Sequence, residues 1–237
     1  MGMIIGVIRF LGAVLVSLAF AVAAIFTIPL SPGGALFHAN SRVWATVVLF
    51  LCGISIRVKG LESVGSLGSY VYVANHASMF DIPAIIAGIP DQIRIVYKKE
   101  LEWIPLFGWG LKWGSYIGID RSAGARALQS LHEAAEKIRN GASVLLFAEG
   151  TRTLDGKLQP FKRGAFHLAV AAGVPVVPLT VNGSYHILRK RSCVVRPGAI
   201  EIVLESPILL RKGNVKEAEM KLMERVHAAI RKHYIDQ

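Results

Sequence analysis

The uncharged run "FLGAVLVSLAFAVAAIFTIPL", from Phe10 to Leu30, leaves its own segment almost no structural choice. A stretch this apolar has to pair its backbone N–H and C=O groups internally, and a helix does so without help from water. As a helix it reaches about 30 Å, enough to span the hydrocarbon core of a bilayer. It exceeds the apolar run of a secretory signal, roughly 7 to 15 residues, and only "TIPLSPGG" follows it, with no convincing cleavage site. Those prolines and glycines predict a turn, after which "VWATVVLFLCGISI" (43–56) gives a second apolar stretch bracketed by Arg42 and Arg57. A membrane-associated two-helix hairpin is expected over residues 1–56. It either lies in one leaflet or crosses the bilayer with its first helix.

Composition agrees with a membrane-facing protein that is not polytopic. Hydrophobic residues make up 53% of the 237 and charged residues only 18%. The formal charge of +11 favours an anionic partner, with nucleic acid, acidic lipid and phosphorylated small molecules all open on charge alone. It also favours a body on the cytoplasmic side of the membrane. Cys52 and Cys193 are the only cysteines, so neither a disulfide framework nor a thiolate metal site is expected.

From residue 57 to 237 the pattern changes. Short β-branched runs, "SYVYVA" (69–74), "IRIVYK" (93–98), "YIGI" (116–119), "SVLLFA" (143–148), "VPVVPLTV" (174–181) and "AIEIVLE" (199–205), alternate with helical periodicity. That alternation predicts one α/β domain with a sheet flanked by helices. The clearest helix is "SAGARALQSLHEAAEKIRNG", with Ser122 as cap and Leu128, Leu131, Ala135 and Ile138 on one face. A last helix is expected from about Asn214 to His233, with Val215, Ala218, Leu222, Val226 and Ala229 inward. The basic run "LRKRSCVVR" (188–196) reads as a solvated or lipid-headgroup face rather than a nucleic-acid site. No GxSxG elbow, HExxH, CxxC or P-loop occurs.

Polar groups gather where strands end. "SYVYVA" empties into Asn75 and His76, with Asp81 five residues beyond His76. Ligands of open α/β sheets bind at the carboxyl ends of strands, so the position is favourable for a site. The next helix starts at Ser78 or at Asp81, and Pro83 favours the later start. His76 then lies before the helix and Asp81 in its first turn, either as a catalytic pair or as a turn residue and a cap. Both roles fit Asp81 if one carboxylate oxygen accepts a backbone N–H while the other orients His76. "SVLLFA" ends in Glu149-Gly150-Thr151-Arg152, either a structural turn or an anion site in which Arg152 offers a planar fork and Gly150 a close backbone approach. Asp120-Arg121 and the Lys162-Arg163 pair add charge at further loop ends. "YKKELEWIPLFGWGLKWG" (97–114) interleaves Lys98, Lys99 and Lys112 with Trp103, Trp109 and Trp113, which suits a bilayer interface.

Four ordered blocks resemble those of the glycerolipid acyltransferases: Asn75-His76-(four residues)-Asp81, Gly118-Ile119-Asp120-Arg121, Glu149-Gly150-Thr151-Arg152 and Val174-Pro175-Val176-Val177-Pro178. The likeness covers roughly residues 55 to 205 and is closest to the bacterial 1-acyl-glycerol-3-phosphate acyltransferases. Gly118 departs from the pattern, standing where an aromatic often precedes Ile-Asp-Arg. The resemblance implies a mixed sheet flanked by helices. It implies His76 as general base on the 2-hydroxyl of lysophosphatidic acid, Asp81 as its orienting carboxylate, and acyl-CoA or acyl carrier protein as donor substrate, with no cofactor or metal. Arg152, Thr151 and Gly150, with Lys98 or Lys99, would hold the acceptor's phosphate, Arg121 and Lys162 are further candidates, and Glu149 would help bind the acceptor. A bacterial inner (cytoplasmic) membrane location follows, with the domain on the cytoplasmic side and phosphatidic acid as product.

Three rival readings stand beside this one. A related O-acyltransferase would use glycerol 3-phosphate, a lyso-aminolipid or another lysophospholipid. A covalent variant would use Ser78 as nucleophile. A non-catalytic basic protein would bind acidic membranes or nucleic acid, and would leave the Glu149 motif unexplained.

Overall fold

The computed structural model of the chain describes residues 2–31, 33–65, 68–114, 116–120, 125–210 and 215–236, with the backbone alone at 125–128. Helices α1 (Gly2–Thr27) and α2 (Ala35–Cys52) form the expected hairpin. Trp44 Nε1 donates to Ser17 Oγ at 2.9 Å and Asn40 Nδ2 to the Phe20 carbonyl at 3.2 Å, so the helices are joined by polar ties as well as apolar packing. Both are long and apolar enough to cross a membrane, and α1 is almost entirely uncovered by the rest of the chain.

The second apolar stretch does not continue as a helix to residue 56. It ends at Cys52, because Gly53 adopts φ 68 and its N–H returns to the Leu49 and Phe50 carbonyls. The chain then enters strand β1 (Ile54–Lys59) at one edge of the sheet. Apolar content alone did not separate these residues from the helix; the left-handed glycine does. Arg42 brackets nothing either: from within α2 its guanidinium donates to the Ile89 and Ala87 carbonyls at 2.7 and 3.3 Å, capping the helix packed against it.

The remaining elements alternate as the periodicity predicts: β2 (Val71–Ala74), α3 (Asp81–Gly88), β3 (Ile93–Lys98), α4 (Phe107–Trp113), β4 (Ile117–Ile119), α5 (Ala125–Arg139), β5 (Ser143–Phe147), α6 (Arg163–Ala172), β6 (Val176–Asn182), α7 (Ser184–Ile187), β7 (Gly198–Leu204) and α8 (Val215–His233). The seven strands order as β1-β7-β6-β2-β5-β3-β4, parallel throughout except for β6 against β7. Strand β2 lies between β5 and β6 and is wholly buried, as its unbroken apolar run requires. One face of the sheet packs on α2 and α3 through Tyr72, Ile85, Leu145 and Ile202, and the other on α5, α6 and α8 through Val73, Ile138, Leu146, Phe166 and Val226.

One expectation shifts in detail. The inward face of α8 is Glu219, Leu222, Val226 and Ile230, while Val215 is exposed. Glu219 takes this place because Arg163 and His167 of α6 meet its carboxylate at 3.1 and 2.8 Å. The Ser122 cap and the whole of Arg121 lie outside the described residues.

Candidate active site

Because β2, β5 and β6 run parallel, their carboxyl ends share one edge of the sheet, and the polar blocks emerge there together. Asn75 extends β2 beyond its last paired residue: its Nδ2 donates to the Val181 carbonyl at 2.9 Å and its Oδ1 accepts the Val181 N–H at 2.7 Å. The next residue is held from both sides. The His76 N–H donates to Glu149 Oε1 at 2.6 Å, and its carbonyl accepts the Thr153 N–H at 2.9 Å.

The His76 ring stacks on Phe147, with centroids 3.8 Å apart and planes 18° from parallel. Its Nδ1 lies 2.7 Å from Asp81 Oδ2. Helix α3 starts at Asp81, so the chain turns between the two residues and the five-residue spacing closes. The same Oδ2 accepts the Ala77 and Ser78 N–H groups at 2.8 and 2.9 Å, while the other oxygen, Oδ1, is buried with no partner among the described residues. This corrects the expected division of labour between the two oxygens: one oxygen both caps and orients. Two backbone donors already meet Oδ2, so a neutral imidazole makes the third contact by carrying its proton on Nδ1, the tautomer that keeps a lone pair on Nε2. The His76 side chain is 15% exposed and Asp81 is fully buried, so the imidazole shows only an edge to solvent.

Ser78 is fully buried, and its hydroxyl donates to the Leu188 carbonyl at 2.9 Å. The hydroxyl is thus engaged by backbone groups and kept out of solvent.

The Glu149 block does two things. Both Glu149 oxygens accept backbone N–H groups, from His76 and, at 3.0 Å, from Gln159. Burial pushes its carboxyl up to about 7, against the pull of those two amides. Its contacts tie the His76 segment to the loop ahead of α6. Beyond it the chain turns outward through Gly150 at φ 71, a left-handed conformation costly for other residues. The Lys162 side chain lies across the space a Cβ at Gly150 would take. Thr151 is exposed and Arg152 half-buried, and Lys190 Nζ spans them, donating to Thr151 Oγ1 at 2.8 Å and to the Arg152 carbonyl at 3.0 Å.

The other cations are more distant. Lys98 ends β3, two strands from β2, and pairs with Glu100 at 3.0 Å on the surface; Lys99 begins the exposed turn that follows. Gly118 has a neighbour in the role of the missing aromatic. Opposite it in β3 stands Tyr97, whose hydroxyl donates to Glu102 Oε1 at 3.0 Å, and a Cβ at position 118 would meet Tyr97 and Glu102 at about 3 Å.

Sequence reasoning did not single out Phe147, Gln159 or Lys190. Lys190 sits in the basic run 188–196, where its charge was visible but its fold-dependent contact was not. Phe147 is the last apolar residue of β5 and looks like ordinary core until its ring is seen beneath His76. Trp103 is 87% exposed, and Trp109 and Trp113 are also exposed, on a segment whose α4 packs against α1.

Comparison with known proteins identifies a family. A family profile described as Acyltransferase matches residues 55–182, which include His76, Asp81 and Glu149 to Arg152. The 1-acyl-sn-glycerol-3-phosphate acyltransferase of Cocos nucifera is 35% identical over 168 residues, covering 70% of this chain and 54% of that protein. The Pseudomonas aeruginosa protein of the same name is 32% identical over 208 residues, covering 86% of this chain and 79% of its own. The crystal structure of the 1-acyl-sn-glycerophosphate (LPA) acyltransferase PlsC from Thermotoga maritima superposes with a TM-score of 0.71 at 25% identity, over 95% of this chain and 97% of that one. The chain spans little more than half the length of the coconut and other plant relatives it matches. With more than half of its residues under the family profile, and a bacterial relative above 30% identity covered over most of its length, the chain belongs to the acyltransferase family.

Proposed function

We propose that the chain transfers a fatty acyl group from a thioester, acyl-CoA or acyl carrier protein, to the 2-hydroxyl of 1-acyl-glycerol-3-phosphate, giving phosphatidic acid. The observation that carries this reading is the His76–Asp81 contact at the carboxyl end of β2, with Nε2 left free beside a basic turn. The acceptor hydroxyl gives its proton to Nε2 as its oxygen attacks the thioester carbonyl. The tetrahedral oxyanion then collapses, the carbon–sulfur bond breaks, and the proton on the imidazolium passes to the leaving thiolate. Asp81 supports the imidazolium between these steps. Atoms and charge balance without a redox step, and we assign no resident cofactor or metal.

A positioned base contributes about 10²–10⁴-fold, so alignment of the two substrates supplies much of the remainder. Arg152, with Thr151 and the Gly150 turn, is the proposed phosphate cradle, and Lys162 and Lys190 flank it. Lys98 and Lys99 are outer candidates, and Arg121, outside the described residues, is a further one. Glu149 acts by holding the His76 backbone in place rather than by touching the acceptor. The apolar hairpin and the exposed tryptophans fit a protein seated on a bilayer, where lysophosphatidic acid and phosphatidic acid reside; a bacterial inner membrane with the domain on the cytoplasmic side is the proposed location. Acidic lipid and substrate phosphate account for the basic charge without nucleic acid.

The test is an acyl-transfer assay with labelled donor and a panel of acceptors: lysophosphatidic acid, glycerol 3-phosphate and neutral lysolipids. Lysophosphatidic acid should be preferred, and His76→Ala should abolish transfer while the protein stays folded. Preference for another acceptor would replace the substrate assignment, and turnover by His76→Ala would remove the base.

A further inference from the structure

Among the described residues strand β4 pairs with β3 only from Val96 to Lys98, and the first half of β3 has no strand beside it on that side. The turn after α1, the start of α2, the end of α4 and part of α5 surround a cavity of about 230 Å3 there, lined by Ile28, Ser31, Phe37, Arg94, Trp113 and Lys137. The register places it away from the candidate active site. Arg94 pairs with Val144, and Val144 with Val71, the first residue of β2. His76 lies five residues further along, about 16 Å at 3.3 Å per residue.

Two cations share this cavity. Arg94 is half-buried, burial pulls its pKa down, and among the described residues it forms no ion pair. Lys137 also forms none among them, although Glu136 and Arg139 on the same helix pair with each other. A partly desolvated guanidinium without a counter-charge is unfavourable, and a second positive charge on the same cavity adds repulsion. An anion held between them relieves both. Ser31 adds a hydroxyl, and among the described residues its oxygen is engaged only by a long contact from the Leu36 N–H at 3.4 Å.

The surroundings choose the anion. The cavity opens where the apolar helix α1 ends, next to Leu30 and the exposed rings of Trp109 and Trp113, a composition that suits the headgroup level of a bilayer. It is smaller than the roughly 300–1,000 Å3 pockets that enclose drug-sized ligands, and it fits a phosphate group with its ester carbons. A planar guanidinium and an ammonium are the usual pair for such a group. We propose that this cavity binds the phosphodiester of an anionic membrane phospholipid through Arg94, Lys137 and Ser31, orienting the domain on the bilayer at a site separate from His76. The assignment does not depend on acyl transfer.

The test uses the full chain in a neutral detergent and follows its thermal midpoint against added phosphatidylglycerol, phosphatidylcholine or inorganic phosphate. Phosphatidylglycerol should raise the midpoint in a saturable way, with phosphatidylcholine and inorganic phosphate much weaker. Arg94→Gln and Lys137→Gln should each weaken the apparent affinity about tenfold or more, as loss of a charge-assisted hydrogen bond predicts. Lys137 is exposed, so its variant folds even if Arg94→Gln does not. No shift with phosphatidylglycerol, an equal shift with phosphatidylcholine or inorganic phosphate, or an unchanged affinity in Lys137→Gln would each overturn the proposal.

Discussion

His76 Nδ1 and Asp81 Oδ2 stand 2.7 Å apart, and that single oxygen also holds the Ala77 and Ser78 amides. The turn that brings the pair together is thus built by the carboxylate that orients the imidazole. Loss of the carboxylate and loss of the turn are one event, unless the replacement keeps an oxygen in the same place.

Asp81→Asn is that replacement. Its one carbonyl oxygen can take the Oδ2 position, which puts the amide NH₂ where buried Oδ1 has no partner among the described residues. The variant should lose about 1–3 kcal/mol of stability from the unsatisfied donor, and its kcat should fall by about 10²–10⁴ as the imidazolium loses its counter-charge. Paired thermal melts and acyl-transfer kinetics check both; turnover within threefold of wild type would show that Asp81 has no electrostatic role.

Ser78→Ala separates turn from nucleophile. The hydroxyl donates to the Leu188 carbonyl in a fully buried setting, so the variant should lose about 1–2 kcal/mol and keep turnover within a few-fold. Rapid-quench analysis of the wild type should trap no acyl-protein, and a trapped ester absent from the variant would reinstate the covalent reading.

Glu149 makes stability depend on pH. Its carboxyl is raised to about 7 in the fold from an unfolded value near 4.5, so between these values the folded state holds one more proton than the unfolded. Stability attributable to this group therefore falls as pH rises from about 4.5 to 7 and stays low above that, by a few kcal/mol in total. Unfolding midpoints of wild type and Glu149→Gln at pH 5, 6, 7 and 8 should diverge in that direction. Parallel curves would show that Glu149 carries no such shift.

Gly118→Phe restores the aromatic often found in that block, but into space already filled by Tyr97 and Glu102. Overpacking of this kind costs about 1–3 kcal/mol. Adding Tyr97→Ala to Gly118→Phe should recover most of it, a coupling that a double-mutant cycle in thermal unfolding measures. Additive losses would mean that the two positions do not share one space.

The α/β class, the hairpin and the approximate place of most strands were legible because periodicity and apolar run length are local properties. β2 and β6 read as strands from their β-branched runs, and the spacing of His76 and Asp81 already required a turn before α3. β1 escaped because Ile54 and Ile56 continue an apolar stretch, and only pairing with β7 makes them a strand. The inward Glu219 escaped because its acceptability depends on Arg163 and His167, far away in the chain.

The candidate site divides the same way. The sequence by itself determined which residue types stand at the strand ends: His76, Asp81, Glu149 and Arg152 were all identifiable by position. Only the tertiary structure decided their partners, because strand order is a long-range choice. Placing β5 beside β2 puts Phe147 under the His76 ring and Glu149 on its backbone, and the loop after α7 carries Lys190 to the Thr151–Arg152 turn. Contacts between residues tens of positions apart follow from which strands share hydrogen bonds, and no local pattern encodes that.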